Sequence, residues 1–313
     1  MTHNPPREFF QPGQAVKQQP AANDPDHGSV DASRGAVFAS DGTSAECLHN
    51  RWRGATVFLV CGGPSLSLSP LTLLNRRGII TAAVNNVAAT VIRPHLWFSC
   101  DPQYNFHEVI WRDPAVMKFT KLKYTSSRHK WAGSKNGKPE IHRWDGAGFV
   151  SAGLTPEQCP NTWGYYHADF KTQPWNPATY FSDPLPVWGS NATENDPDGK
   201  SWHKSVLLVS LWLLYWLGFR TINLVGCDFS MSPDKSYAFD EKGRDVTNNS
   251  LYPWLNRRFT ELAPHLPDAG MEIVNCTVGG NLTAFRRESL EAAVNQAIAG
   301  WPDKVVTAGH YRG

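Results

Sequence analysis

The sequence has neither of the glycine motifs that most often mark a nucleotide site: no Gly-x-Gly-x-x-Gly fingerprint and no Gly-x-x-x-x-Gly-Lys-Ser/Thr loop. It also has no Cys-x-x-Cys pair. The six cysteines, at 47, 61, 100, 159, 227 and 276, are scattered, and four of them end or adjoin apolar runs. That pattern excludes a zinc ribbon or a secreted disulfide frame and fits a reducing compartment. Net charge is scarce: at +2 over 313 residues the molecule as a whole is not a polycationic nucleic-acid binder. The one membrane-like run, VLLVSLWLLYWLGF, covers residues 206–219, short of the ~20 that a spanning helix needs. MTHNPPREFFQPGQ at the start is polar and proline-broken, unlike a signal peptide. A cytoplasmic protein with no membrane span is expected.

Hydrophobic residues make up 41% of the chain, enough for a large core. Residues 1–50, rich in Pro, Gln, Asn, Asp and Ser, read as a disordered arm. Residues 51–313 read as a single nucleotide-binding α/β domain. It carries an insertion at about 125–203, a Trp- and Pro-rich stretch suited to a lid or acceptor region.

The organising stretch is ATVFLVCGGPSL, residues 55–66. Its β-branched and aromatic run predicts a strand buried on both faces. Gly62 and Gly63 then allow a tight turn and close approach of a ligand. Pro64 suits the first turn of a helix, and Ser65 offers a hydroxyl and a backbone N–H there. Further strands are expected at residues 79–84, ending at Asn85-Asn86, and at 96–100, ending at Asp101. Another at 221–225 ends at Gly226-Cys227-Asp228. In an open parallel sheet, ligands bind at such carboxyl ends. Each residue also has a plainer use, since Asn and Asp form turns and caps. The run 206–216, apolar nearly all round, predicts a helix buried against the sheet.

Lys118, Lys121, Lys123, Arg128, Lys130, Lys135, Lys138 and Arg143 follow one another with almost no acidic residue between. They suit either a polyanion or a solvated loop. Asp196-Pro197-Asp198 has the form of a metal-binding Asp-x-Asp, but its Asn and Gly neighbours favour a turn.

Taken in order, VFLVCGGPSL, VNNV, LGFRTINLVGCDFS with SYAFD, and MEIVNCTVGGNL resemble the bacterial sialyltransferases that use CMP-activated sialic acid and build lipooligosaccharide. PHLWFSCDP is also similar to a pattern of the 6-hydroxymethylpterin diphosphokinase-like proteins. The resemblance covers most of residues 55–285, with no counterpart for about 103–200. It implies a Rossmann-like, glycosyltransferase A-like α/β fold and, on the sialyltransferase side, no metal. Gly62, Gly63, Pro64 and Ser65 would line the nucleotide, with Asn85 and Asn86 beside the donor. His203, Lys204 and Ser205 would sit near the donor phosphate, and Tyr252 matches a phosphate-binding tyrosine. The family's catalytic His falls at Leu255, which cannot take a proton.

Asp101, Asp228 and His203 are therefore the candidate bases. The first reading is a transferase that moves a sugar from a CMP- or UDP-type donor to an anionic acceptor, either a glycan or a hydroxymethylated DNA base. Lys121, Lys123, Arg128 and Lys130 would meet that acceptor. The second is an ATP-dependent diphosphokinase-like phosphotransferase, with Mg²⁺ held by Asp101 and Asp228. The third is a nucleic-acid-binding module without chemistry.

Overall fold

The computed structural model describes residues 36–40, 42–101, 106–125, 142–144, 149–151, 153, 155, 158–167, 175–186, 205–232, 237–239 and 245–299. Within it the strands are β1 (Val37–Ala39), β2 (Thr56–Val60), β3 (Thr81–Val84), β4 (Leu96–Phe98) and β5 (Met117–Lys121). They continue with β6 (His142–Trp144), β7 (Phe149–Ser151), β8 (Thr162–Tyr165), β9 (Thr221–Val225) and β10 (Glu272–Asn275). The helices are α1 (Val87–Thr90), α2 (Glu108–Arg112), α3 (Val206–Trp216), α4 (Asp245–Leu262) and α5 (Leu290–Ala297).

Eight strands make one sheet in the order β1-β8-β5-β4-β3-β2-β9-β10. Every neighbouring pair is parallel except β1 with β8. The chain begins the parallel part at β2 and steps outward through β3, β4, β5 and β8. It then returns to place β9 on the other side of β2. The strand order thus reverses between β2 and β9, and in open α/β sheets ligands bind outside the carboxyl ends of the strands at such a reversal.

Alternation along β2 shows both faces covered. Val57, Leu59 and Cys61 pack with α3 and α4, whereas Phe58 and Val60 face Leu66, Leu74 and α5. All eight residues from Leu207 to Leu214 in α3 are buried, each large side chain contributing ~1.5–3 kcal/mol. No helix among the described residues is long and apolar enough to cross a membrane.

The structure departs from expectation in three places. The helix expected at Pro64 is a single 3-10 segment, Pro64–Leu68. Ser67 and Ser69 bond back to the Pro64 and Ser65 carbonyls, and Pro70 has no N–H to extend the ladder. Residues 36–50, read with the arm, include β1 and the buried Ala45 and Leu48. Within the stretch read as an insertion, β8 is an interior strand of the main sheet, paired with β5 and β1.

Candidate functional site

Asp228, Gly62, Asn85 and Asp101 follow the ends of four consecutive strands, β9, β2, β3 and β4, on one edge of the sheet. The reversal point lies between the first two. There the Asp228 carboxylate reaches across to the glycine loop, where it accepts the Ser65 hydroxyl at 2.9 Å and the Ser65 N–H at 3.3 Å. Both residues are buried, Asp228 at 7% exposure. Gly63 donates its N–H to the Gly226 carbonyl at 2.9 Å. A Cβ on Gly63 would lie 1.8 Å from Asp228 Oδ2, so the carboxylate fills the space a side chain would take.

Asp228 is held from behind as well. The Asn281 N–H donates to its carbonyl at 2.6 Å. Gly280, left-handed at φ +78°, lets that turn close on the Asp228 backbone. Arg287 fixes the turn by donating to the carbonyls of Thr277, Gly279, Gly280 and Leu282. The next residue, Phe229, sits at φ +52°, a rare conformation for a bulky side chain. Its ring stacks on Tyr252 at 5.1 Å and on Phe259 at 5.8 Å. Burial first, then the neighbouring Tyr237, Cys227 and Asp228, push the Tyr252 phenol above its ordinary range. It stays protonated and able to donate. Over Gly62 lie the stacked rings of Tyr237 and Phe239, 5.0 Å apart, and Ala238 donates its N–H to the Gly62 carbonyl.

One strand further, Asn85 takes a left-handed turn at φ +50°, which asparagine tolerates, and its carbonyl holds the Trp97 indole N–H at 2.8 Å. Its side-chain Oδ1 is buried without a hydrogen-bond partner. A buried oxygen left this way costs about 1–3 kcal/mol unless an incoming donor meets it. Asp101 is exposed, in a turn made by the Ser99 hydroxyl.

Several sequence expectations change here. The Ser65 donors expected to hold phosphate are engaged by Asp228. The single 3-10 turn after them supplies little of the dipole that a long helix would. Asp228, expected as a base, is a brace of the loop in this arrangement. Asn86 starts α1, its carbonyl accepting the Thr90 hydroxyl at 2.7 Å. Ser205 caps α3 by accepting the Leu207 N–H at 3.2 Å. Lys121, expected on an acceptor-facing surface, is only 2% exposed, lying over the Tyr124 ring at the end of β5. Leu255 packs in the core beside Phe259. His203, Lys204, Arg128 and Lys130 lie outside the described residues, as do the side chain of Lys123 and the Asp196–Asp198 turn.

Asp101 and Asp228 follow strands three inter-strand steps apart, roughly 14 Å along the sheet edge, and among the described residues no group of three or more His, Cys, Asp or Glu is placed to hold a metal ion. A cavity of about 330 Å³ lined by Arg112, Gln158, Cys159 and Pro160 lies before β5 and β8, at the opposite end of the sheet. The sequence reading missed the bracing role of Asp228, the clamp made by Arg287 and the ring pair above Gly62. Only the Tyr-Ala-Phe run hinted at the last.

The chain matches no family model, no curated protein and no solved structure.

Proposed function

We propose that the crevice between β2 and β9 binds a nucleotide, and that the chain is a nucleotide-sugar-dependent glycosyltransferase. The observation that carries the first part is the row of four polar strand ends running from the reversal point along one sheet edge, with Asn85 Oδ1 buried and unmatched among them. Sites of this kind suit a ligand that offers both donors and an anionic group. The resemblance of residues 55–285 to the sialyltransferase frame supports a CMP- or UDP-type donor.

The roles follow from exposure and engagement. With Ser65 committed to Asp228 and the Tyr237 and Phe239 rings over Gly62, the nucleotide lies toward β3, against Asn85. Tyr252, kept protonated, is assigned as the donor to the leaving phosphate, where developing charge rewards fixed donors. Asp101 is the accessible carboxylate and takes the acceptor's proton as its oxygen bonds to the sugar carbon and the nucleotide departs. The acceptor is an anionic glycan or a hydroxymethylated base.

Thermal unfolding with CMP, UDP, GDP and ATP–Mg²⁺ tests binding. A ligand at 100 times its Kd adds about 2.7 kcal/mol, a rise of several degrees for a chain of this size. CMP or UDP should give it. No response to any of them refutes the reading, and a response to ATP–Mg²⁺ alone favours phosphotransfer. Asp101→Asn should keep the nucleotide-induced rise and lose turnover by 10²-fold or more.

A further inference from the structure

Cys61 and Cys227 follow the last residues of β2 and β9, the two strands on either side of the reversal. Gly226, left-handed at φ +70°, turns the chain so that Cys227 enters the same face of the core as Cys61. Their sulfurs lie 3.0 Å apart, one thiol donating to the other. Both are reduced. A disulfide needs about 2.05 Å between sulfurs, so the contraction is about 1 Å between side chains on hydrogen-bonded neighbours.

We propose that Cys61 and Cys227 are an oxidative modification site, a dithiol that reacts with peroxides and small-molecule disulfides to latch the two strands flanking the crevice. Cys61, 8% exposed against 2% for Cys227, meets the oxidant. The bond to its neighbour and burial hold Cys227 protonated, leaving it as the resolving thiol. With peroxide, the Cys61 thiolate attacks one oxygen and the O–O bond breaks. One oxygen leaves as water after taking up protons, and the other remains as the Cys61 sulfenic acid. Cys227 sulfur then attacks Cys61 sulfur, the S–S bond forms, and the sulfenic oxygen leaves as a second water with the Cys227 proton. The protein loses two electrons and two hydrogens. With a small disulfide the same two hydrogens leave as two thiols. Cys276, after the neighbouring β10, faces the other side of the sheet, among the residues that pack on α5.

The experiment uses the full chain, reduced, desalted and exposed to hydrogen peroxide or oxidised glutathione. It is then denatured in alkylating agent and weighed intact. The expected result is the loss of two of the six alkylatable thiols, a linked peptide joining 61 to 227, and full recovery with dithiothreitol. In an oxidised-glutathione arm Cys61→Ser should keep all five remaining thiols, Cys227→Ser should stop at one glutathione held on Cys61 with no link, and Cys276→Ser should still form the link. The cross-link closes a sequence separation of 166 residues, so the oxidised protein should melt about 5 °C higher or more. Six alkylated cysteines after oxidation, a link between other cysteines, or an unchanged melting temperature in the linked protein would overturn the proposal. None of these outcomes depends on which nucleotide, if any, the crevice holds.

Discussion

Replacing Gly63 with alanine isolates the contact on which the crevice is built. Gly63 has φ −63° and ψ 150°, a conformation open to any residue, so the substitution carries no backbone penalty of its own. Its effect is steric. The new methyl would fall 1.8 Å from Asp228 Oδ2 and 2.5 Å from the Gly226 carbonyl oxygen. Asp228 must leave, and the Ser65 N–H and hydroxyl then lose their acceptor while still buried. Crowding costs about 1–3 kcal/mol and the unmatched donors about 1–3 kcal/mol more. A total of about 2–6 kcal/mol is a large part of the 5–15 kcal/mol that holds a typical protein together. Gly62→Ala is the control. Its methyl would meet only the rings of Tyr237 and Phe239, at 2.9–3.3 Å, and should cost about 1 kcal/mol. Urea unfolding of Gly63→Ala, Asp228→Ala and the double variant measures the coupling. Removing Asp228 should lower the cost of the Gly63 methyl by at least about 1 kcal/mol, since only Gly226 still opposes it. A Gly63 variant as stable as wild type, or one whose cost ignores residue 228, refutes the reasoning.

Leu213→Glu should unfold the chain, with a cost above about 4 kcal/mol, because the site is fully buried in α3; far-UV circular dichroism reports it. Arg287→Ala should cost about 1–2 kcal/mol and speed amide exchange at Asn281. Arg287→Lys should not restore protection, since an ammonium cannot fork across four carbonyls. Burial lowers Lys118 from 10.5 to about 8. Between those values the unfolded chain binds more protons than the folded one, so this group's contribution to stability rises with pH from about 8 to 10.5. Lys118→Met should flatten that rise in a series of urea titrations. It should also lower stability near neutral pH, because the Asp113, Val116 and Pro160 carbonyls lose their shared donor.

The elements legible in the sequence are those whose composition has one explanation. Strands β2 and β9 are β-branched runs closed by glycine, and α3 is apolar on every side; the structure gives all three the expected bounds. Strand β5 was hidden by its own lysines. Met117, Phe119 and Lys121 alternate with Lys118 and Thr120, and the two ammonium groups make a buried strand look like a solvated basic run. Its lysines are tolerable because the Lys118 charge ends on three carbonyls, which no local pattern reveals. Strand β8 carries Gly164 in its interior, ordinarily a sign against a strand. A Cβ there would lie 2.5–3.0 Å from Leu122 and Thr125, so close packing of the preceding turn requires the glycine. At the site, the sequence shows which strand ends are polar but not which way their side chains turn. Asp228 and Ser65 are 163 residues apart, and only the return of the chain beside β2 joins them.

That joining changes what the glycine loop is for. A phosphate and the Asp228 carboxylate are both anions, and they cannot share the same Ser65 donors without a cation between them. The protein therefore carries its own anion in the position where the bare loop would suggest a ligand's. Two arrangements satisfy the charges. In one, the ligand's phosphate displaces Asp228 and pays the cost of freeing a buried carboxylate. In the other, the phosphate of the proposed nucleotide stays on the β3 side, where Asn85 still has an unused acceptor for the ligand's hydroxyl or amino groups. The clamp behind Asp228, from Asn281, Gly280 and Arg287, raises the cost of displacement, so the proposed nucleotide is expected in the second arrangement. Gly63 is then explained by the carboxylate against it.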